Sequence, residues 1–176
     1  MIKQTITSFI VSVLLFSAIS KAQIFPVIRG VTLEEKPVSL PIKNGKFSVI
    51  AIAFHRGAED DLKKWLNPLF ESFIKTEETK GGFDMAEIHD VNFAFIPLIA
   101  GFKRVADDFK KDTDKQFWAY IIDTEKTDVK SLQEKLGIQD NKIPYFFVLD
   151  ATGKVVASQS GKYSASKLEK LESAVE

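Results

Sequence analysis

Apolar residues recur along the chain at two different periods, and the alternation between them separates strands from helices. Phe47 to Phe54 is a near-continuous apolar run rich in β-branched residues, which predicts a strand buried on both faces. Leu62, Trp65, Leu66, Leu69, Phe70 and Phe73 then fall at the three-and-four spacing of one helical face. Glu59, Asp60 and Asp61 occupy the first turn of that helix, where carboxylates suit the positive end of the dipole, and Pro68 is expected to kink it. Gly81-Gly82 marks a break, Phe83 to Val91 predicts a strand of mixed polarity, and Phe95, Leu98, Ile99, Phe102, Val105, Ala106 and Phe109 predict a second amphipathic helix running to Lys111. Phe117 to Asp123 reads as a strand, and Val129, Leu132 and Leu136 as a short helix closed by Gly137.

Pro144 opens an apolar strand running to Asp150, Asp150 to Gly153 is a turn, and Lys154 to Ser158 returns as the second arm of a hairpin. Leu168, Leu171 and Val175 face inward from a closing helix, with Ser166 and Glu169 spaced as a capping box. Upstream of all this, Gln23 to Pro41 forms an extension holding one short proline-fenced strand, Lys36 to Pro41, before a hairpin signal at Asn44-Gly45. Strands alternating with helices imply crossover connections and a mainly parallel sheet, to which the last hairpin adds an antiparallel edge. The fold class is α/β, with a mixed central sheet, flanking helices and an extra helical insertion over residues 95–111.

The first 22 residues follow neither period. Lys3 precedes an apolar run from Ile6 to Ile19, and Ser20-Lys21-Ala22 places small residues where a signal peptidase reads them. Thr7, Ser8, Ser12 and Ser17 interrupt the run, which is also short for a bilayer needing about 20 apolar residues. The expectation is a signal peptide over residues 1–22, a single domain over 23–176, and an exported protein of the periplasm or the extracellular space with no membrane span after cleavage. Twenty-four basic residues balance 24 acidic ones, and losing Lys3 and Lys21 would leave two more acids than bases. Such a mixed surface gives no footprint for nucleic acid. The chain has no cysteine, which excludes a lipoprotein anchor, disulfides and every thiol–disulfide reaction, since the thiolate is the nucleophile in that chemistry.

Residues 30–175 resemble a known family. Phe117 to Asp123, Gly137-Ile138, Ile143-Pro144, Phe146 to Asp150 and Gly153-Lys154-Val155-Val156 follow the order of the C-terminal half of thioredoxin-like redoxins, and Ser48 to Phe54 with the Pro68 helix resembles their first half. The resemblance implies a thioredoxin-like three-layer sandwich. Its redox cysteines would fall at Glu59 and Leu62 counted from Phe54, or at Asp60 and Lys63 counted back from Pro68. A narrower likeness, carried by Phe95 to Lys111, Phe117 to Asp123, Leu136-Gly137-Ile138 and Leu149-Asp150 with Gly153, is to the mitochondrial ATP-synthase assembly factors, thioredoxin-like proteins without the standard redox pair.

Candidate site residues follow from that frame. The resemblance implies a cis Ile143-Pro144 bond beside the active-site helix, with Ile143 and Tyr145 flanking a peptide-accepting groove; without it, Pro144 simply starts a strand. His55 and Arg56 leave the first strand at its C-terminal end, where open α/β sheets place ligands, and Glu59 and Asp60 lie beside them. Those residues suit either a polar contact loop or a general base with an oriented imidazole. His89 among Asp84, Glu87 and Asp90 lacks zinc or calcium spacing, and Gly81-Gly82 lacks the lysine of a phosphate loop, so no metal or cofactor is expected. Three functions stay open: an adaptor or assembly factor that binds a protein or peptide in the cell envelope, an enzyme using His55 with Glu59 or Asp60, and a structural envelope domain.

Overall fold

The computed structural model of the chain describes residues 23–74, 90–99, 107, 110–124 and 127–175. The expected signal peptide, the Gly81-Gly82 break, His89, and most of the expected segments Phe83 to Val91 and Phe95 to Lys111 lie outside those residues. Seven strands and three α-helices are described: β1 (Ile28–Thr32), β2 (Pro37–Leu40), β3 (Ser48–Ile52), α1 (Glu59–Phe73), β4 (Asn92–Ile96), β5 (Ile122–Thr124), α2 (Val129–Leu136), β6 (Tyr145–Leu149), β7 (Val155–Ser160) and α3 (Ala165–Glu172). They form a four-stranded sheet in the order β4-β3-β6-β7 and a three-stranded sheet in the order β2-β1-β5.

All five residues of β3 are buried, as a central strand between two neighbours requires. It runs parallel to β4 and antiparallel to β6, with Ile52 opposite both Ile96 and Tyr145. Only the β3–β4 pair is parallel in the larger sheet, so the mainly parallel sheet expected from the alternation of elements is corrected: direct antiparallel pairing of β6 on β3 replaces a second crossover. Period-two alternation then feeds two separate cores. Val49, Ala51, Phe95, Phe146 and Val148 face α1 and α3, where Leu62, Trp65, Leu69 and Leu171 are buried. Ile50, Ile52, Ala94, Ile96, Phe147 and Leu149 face the other way, onto Ile28 and Leu40 of the smaller sheet and Leu132 and Leu136 of α2. The fold is thus α/β with a sheet sandwiched between two layers.

Several local expectations are revised. The second core strand is Asn92–Ile96, so Phe95 and Ile96 belong to a strand and cannot begin a helix; four consecutive buried residues leave no polar face. Asp107 and residues 110–112 are helical. Phe117 closes a 3-10 turn (Lys115–Phe117), and the strand beyond it is only Ile122–Thr124. That strand pairs with β1 because Phe95 N–H has already engaged Tyr120 C=O at 2.8 Å, drawing residues 120–121 against β4. Asn44-Gly45 makes a turn with Gly45 at φ +86°, but it joins the two sheets and closes no hairpin. Helix α3 is capped at Ser164, two residues ahead of the expected box, with the Ser164 carbonyl accepting the N–H groups of Lys167 and Leu168.

Two turns show local chemistry at work. Asp150 Oδ1 accepts from Thr152 Oγ1 (2.7 Å), Thr152 N–H (2.8 Å) and Lys154 N–H (3.1 Å), which closes the β6–β7 hairpin. The Thr152 hydroxyl, then the Lys154 N–H, hold its carboxyl below the usual carboxylate range. In the β1–β2 turn, Glu35 sits at φ +66°, the left-handed region that a non-glycine residue occupies at a cost. Glu35→Gly is expected to raise stability by about 0.5–1 kcal/mol in urea unfolding. Glu35→Ala, which keeps the Cβ, should leave it nearly unchanged, and equal values for the two variants would show that the turn carries no such strain.

Candidate functional site

The antiparallel register sets where the candidate residues meet. With Ile52 opposite Tyr145, the chain leaving β3 through Phe54 and His55 passes beside the chain entering β6 through Ile143 and Pro144. The start of α1, with Glu59 and Asp60, follows within one 3-10 turn (Arg56–Ala58). One end of the sheet therefore gathers all seven sequence-derived residues.

His55 is extended, and its Nδ1 accepts the Gly57 N–H at 2.9 Å, capping the 3-10 turn. This uses the ring nitrogen as an acceptor, so the neutral imidazole carries its proton on Nε2. The remainder of His55 is exposed, and no carboxylate among the described residues pairs with it. The enzyme reading looks for that pairing; what the described residues show is the ring capping a turn through Nδ1. Arg56 is exposed. Glu59 bonds Lys63 at 3.2 Å one turn along the helix, Asp61 bonds Lys64 at 3.1 Å, and Asp60 is exposed. Surface pairs of this kind contribute little stability and chiefly fix side-chain direction.

Pro144 is buried, and its preceding bond is trans, which corrects the cis geometry implied by the resemblance; the cis bond among the described residues is Leu40-Pro41. A trans bond, the ordinary state of X-Pro, suits a proline that leads directly into a strand. Its carbonyl accepts the Gly161 N–H at 2.8 Å. Proline has no N–H to return to the Gly161 carbonyl, and the indole Nε1 of Trp65 supplies that donor at 3.0 Å. Tyr145 is half-buried, edge-on to Phe54 at 6.3 Å and stacked on Phe147. Its hydroxyl donates to the Asp140 carbonyl at 2.9 Å and accepts the Asp140 N–H at 3.2 Å. With Pro144 covered and Tyr145 tied down, the exposed part of this end is the polar rim of His55, Arg56 and Asp60.

Three features were not anticipated from sequence. Trp65 was placed in the core by periodicity, but its indole bond to Gly161 needed the register to be seen. A cleft of about 440 Å³ lies between α1 and the loop before β5, lined by Lys63, Asn67, Asp112, Asp114 and Phe117 among others. Ile24 and Val27 are more than 60% exposed, although Phe25 between them is buried. Among the described residues no three His, Asp or Glu side chains are placed to hold a metal ion, and no helix is long and apolar enough to cross a membrane.

Similarity to known proteins follows the fold. The thioredoxin domain of a thiol-disulfide oxidoreductase from Bacteroides vulgatus superposes with a TM-score of 0.60 at 20% identity, over 88% of this chain and 97% of that one. A thiol:disulfide interchange protein DsbE from Chlorobium tepidum gives 0.55 at 16% identity, over 88% and 94%, and yeast Sco1 with copper bound gives 0.53 at 17%, over 88% and 94%. At such identities these likenesses establish the thioredoxin-like fold and nothing finer. No curated protein matches the chain by sequence. The family model described as ATP10 protein matches residues 8–176, nearly the whole chain. A match of that extent makes this chain, a thioredoxin-like fold without a single cysteine, a member of the ATP10 protein family.

Proposed function

We infer that this chain is an assembly factor or chaperone-like adaptor that binds a protein or peptide partner, and that it does so outside the inner membrane after removal of residues 1–22. The observation that carries the reading is the pairing of ATP10 family membership with a redoxin frame that holds no thiol. A fold whose relatives act through cysteine has lost that chemistry while keeping its scaffold, which leaves recognition as the use of the site. The exposed rim of Arg56, His55 and Asp60 at the β3–β6 end offers both charge signs and a hydrogen-bonding ring to a partner. The signal pattern expected over residues 1–22 is what supports placing it in the cell envelope.

The test is cross-linked capture of the tagged full chain from its own solubilised envelope, followed by reconstitution with the purified captured protein. An Arg56→Glu/Asp60→Lys variant alters only exposed positions and should stay folded. A defined subunit of a membrane assembly that binds the wild type, and binds the variant at least tenfold more weakly, is the expected result. Equal binding by the variant would remove the partner from this rim. Failure to capture any defined protein would overturn the adaptor reading.

A further inference from the structure

We propose that the outer edge of β7 is a strand-addition site for an extended, acidic-flanked segment of the protein partner, a proposal that rests on the partner-binding reading above. Edge strands expose unpaired backbone groups, and proteins ordinarily blunt them with charge, proline or a covering segment. Two outer edges here are treated that way. Strand β2 starts with Pro37 and stops before Pro41, and β4 is closed by residues 120–121. Strand β7 reads Val-Val-Ala-Ser-Gln-Ser, with no charge and no proline, and Val156 and Ser158 on it are exposed.

The ladder identifies which groups face outward. Gly161 N–H bonds Pro144 C=O while Ser160 stands opposite Tyr145. Antiparallel alternation then turns residues 157 and 159 toward β6, and 158 and 160 away from it. The Ser160 carbonyl is taken by Lys167 Nζ at 2.7 Å. Ser158 N–H, Ser158 C=O and Ser160 N–H remain directed outward. The chain already demonstrates pairing on this same edge: Phe25 N–H bonds Gly153 C=O and Val155 N–H bonds Gln23 C=O, an antiparallel bridge of Ile24 with Lys154. Among the described residues the open stretch begins where that bridge stops and ends beside Tyr145, so it is continuous with the candidate rim.

Charge selects the occupant. Lys154 and Lys162 flank the neutral stretch and Lys167 sits over its end, with no carboxylate between residues 151 and 168. Two copies pairing antiparallel about Ser158 would set Lys154 against Lys162, which disfavours self-association. A strand with an uncharged centre and carboxylates at both ends fits instead, its backbone supplying the affinity and its ends the preference.

The probe is a labelled ten-residue peptide with an alternating Thr/Val centre flanked by glutamates, compared with a lysine-flanked copy, each titrated into the full chain and followed by anisotropy and amide exchange. The glutamate peptide should bind and protect the Ser158 and Ser160 amides. Ser158→Pro removes an outward donor without touching the β6 ladder and should weaken binding at least tenfold. Lys154→Glu/Lys162→Glu, which leaves the strand itself intact, should switch the preference to the lysine peptide. No binding, binding without protection at Ser158 and Ser160, or dimerisation abolished by Ser158→Pro would each overturn the proposal. If the captured envelope protein binds Ser158→Pro as well as wild type, this edge is excluded while partner binding stands.

Discussion

Trp65→Ala should be among the most destabilising single substitutions in the chain, lowering unfolding free energy by about 3–5 kcal/mol and the melting temperature by roughly 10 °C or more. Its side chain is fully buried, lies 4.1 Å from the Phe146 ring between centroids, and meets Tyr163 edge-on at 5.1 Å. Truncation empties that space and also leaves the part-buried Gly161 carbonyl without this donor, a second cost of about 1 kcal/mol. Trp65→Phe separates the two terms, since it keeps most of the ring and deletes only the N–H. Urea unfolding should place it between wild type and alanine. A phenylalanine variant as unstable as alanine would mean that the indole bond dominates; one equal to wild type would mean that it contributes nothing.

Gly30→Ala should cost about 3 kcal/mol, through overpacking and with no loss of burial. A Cβ at that position would stand 2.2 Å from the Asp123 carbonyl oxygen and 2.9 Å from Ile122 Cγ2, and the nearer obstacle is backbone that cannot rotate aside. Strand β1 would have to part from β5, its antiparallel neighbour through Gly30–Thr124 and Val31–Asp123. The damage should be local. Amide exchange is expected to quicken through β1 and β5 while β3 and β6 stay protected, because the larger sheet shares no strand with the smaller one. Gly45→Ala is the control: that glycine, unlike Gly30, has a positive φ, but it has open space around it, so the cost should fall to about 1 kcal/mol. Uniform loss of protection across both sheets would show that they open as one unit.

The sequence was most legible where burial is uniform along an element. The apolar run at Val49–Ile52, the helical stripe from Leu62 to Phe73 and the β6–β7 hairpin each carry a period that few alternatives share. It was least legible around Phe95 and Phe117. Phe95, Leu98 and Ile99 satisfy helical spacing, yet Phe95 and Ile96 complete a strand; a short apolar run fits both periods, and parallel pairing with β3 decided the matter. Strand β1 went unseen because Arg29 and Gly30 interrupt its pattern, and Gly30 is there for backbone approach, which hydropathy does not register. The grouping of His55, Arg56 and Tyr145 at one end of the sheet followed from the family frame. That Pro144 is buried, and that His55 caps a turn, did not: the first depends on packing across the sheet, and the second on the direction the His55 ring takes toward Gly57 two positions on.

The Trp65–Gly161 bond has an implication for how the family can vary. Pro144 withholds the donor that an ordinary strand residue would offer across the ladder, and an indole 79 positions earlier makes up the deficit. Any residue other than proline at 144 would bring its own N–H toward the same carbonyl and make the indole redundant, while losing the indole first would strand the acceptor. Positions 65 and 144 are therefore exchangeable in one order only, the proline yielding before the tryptophan, so the pair constrains the mutational paths open to this fold without either residue touching a partner.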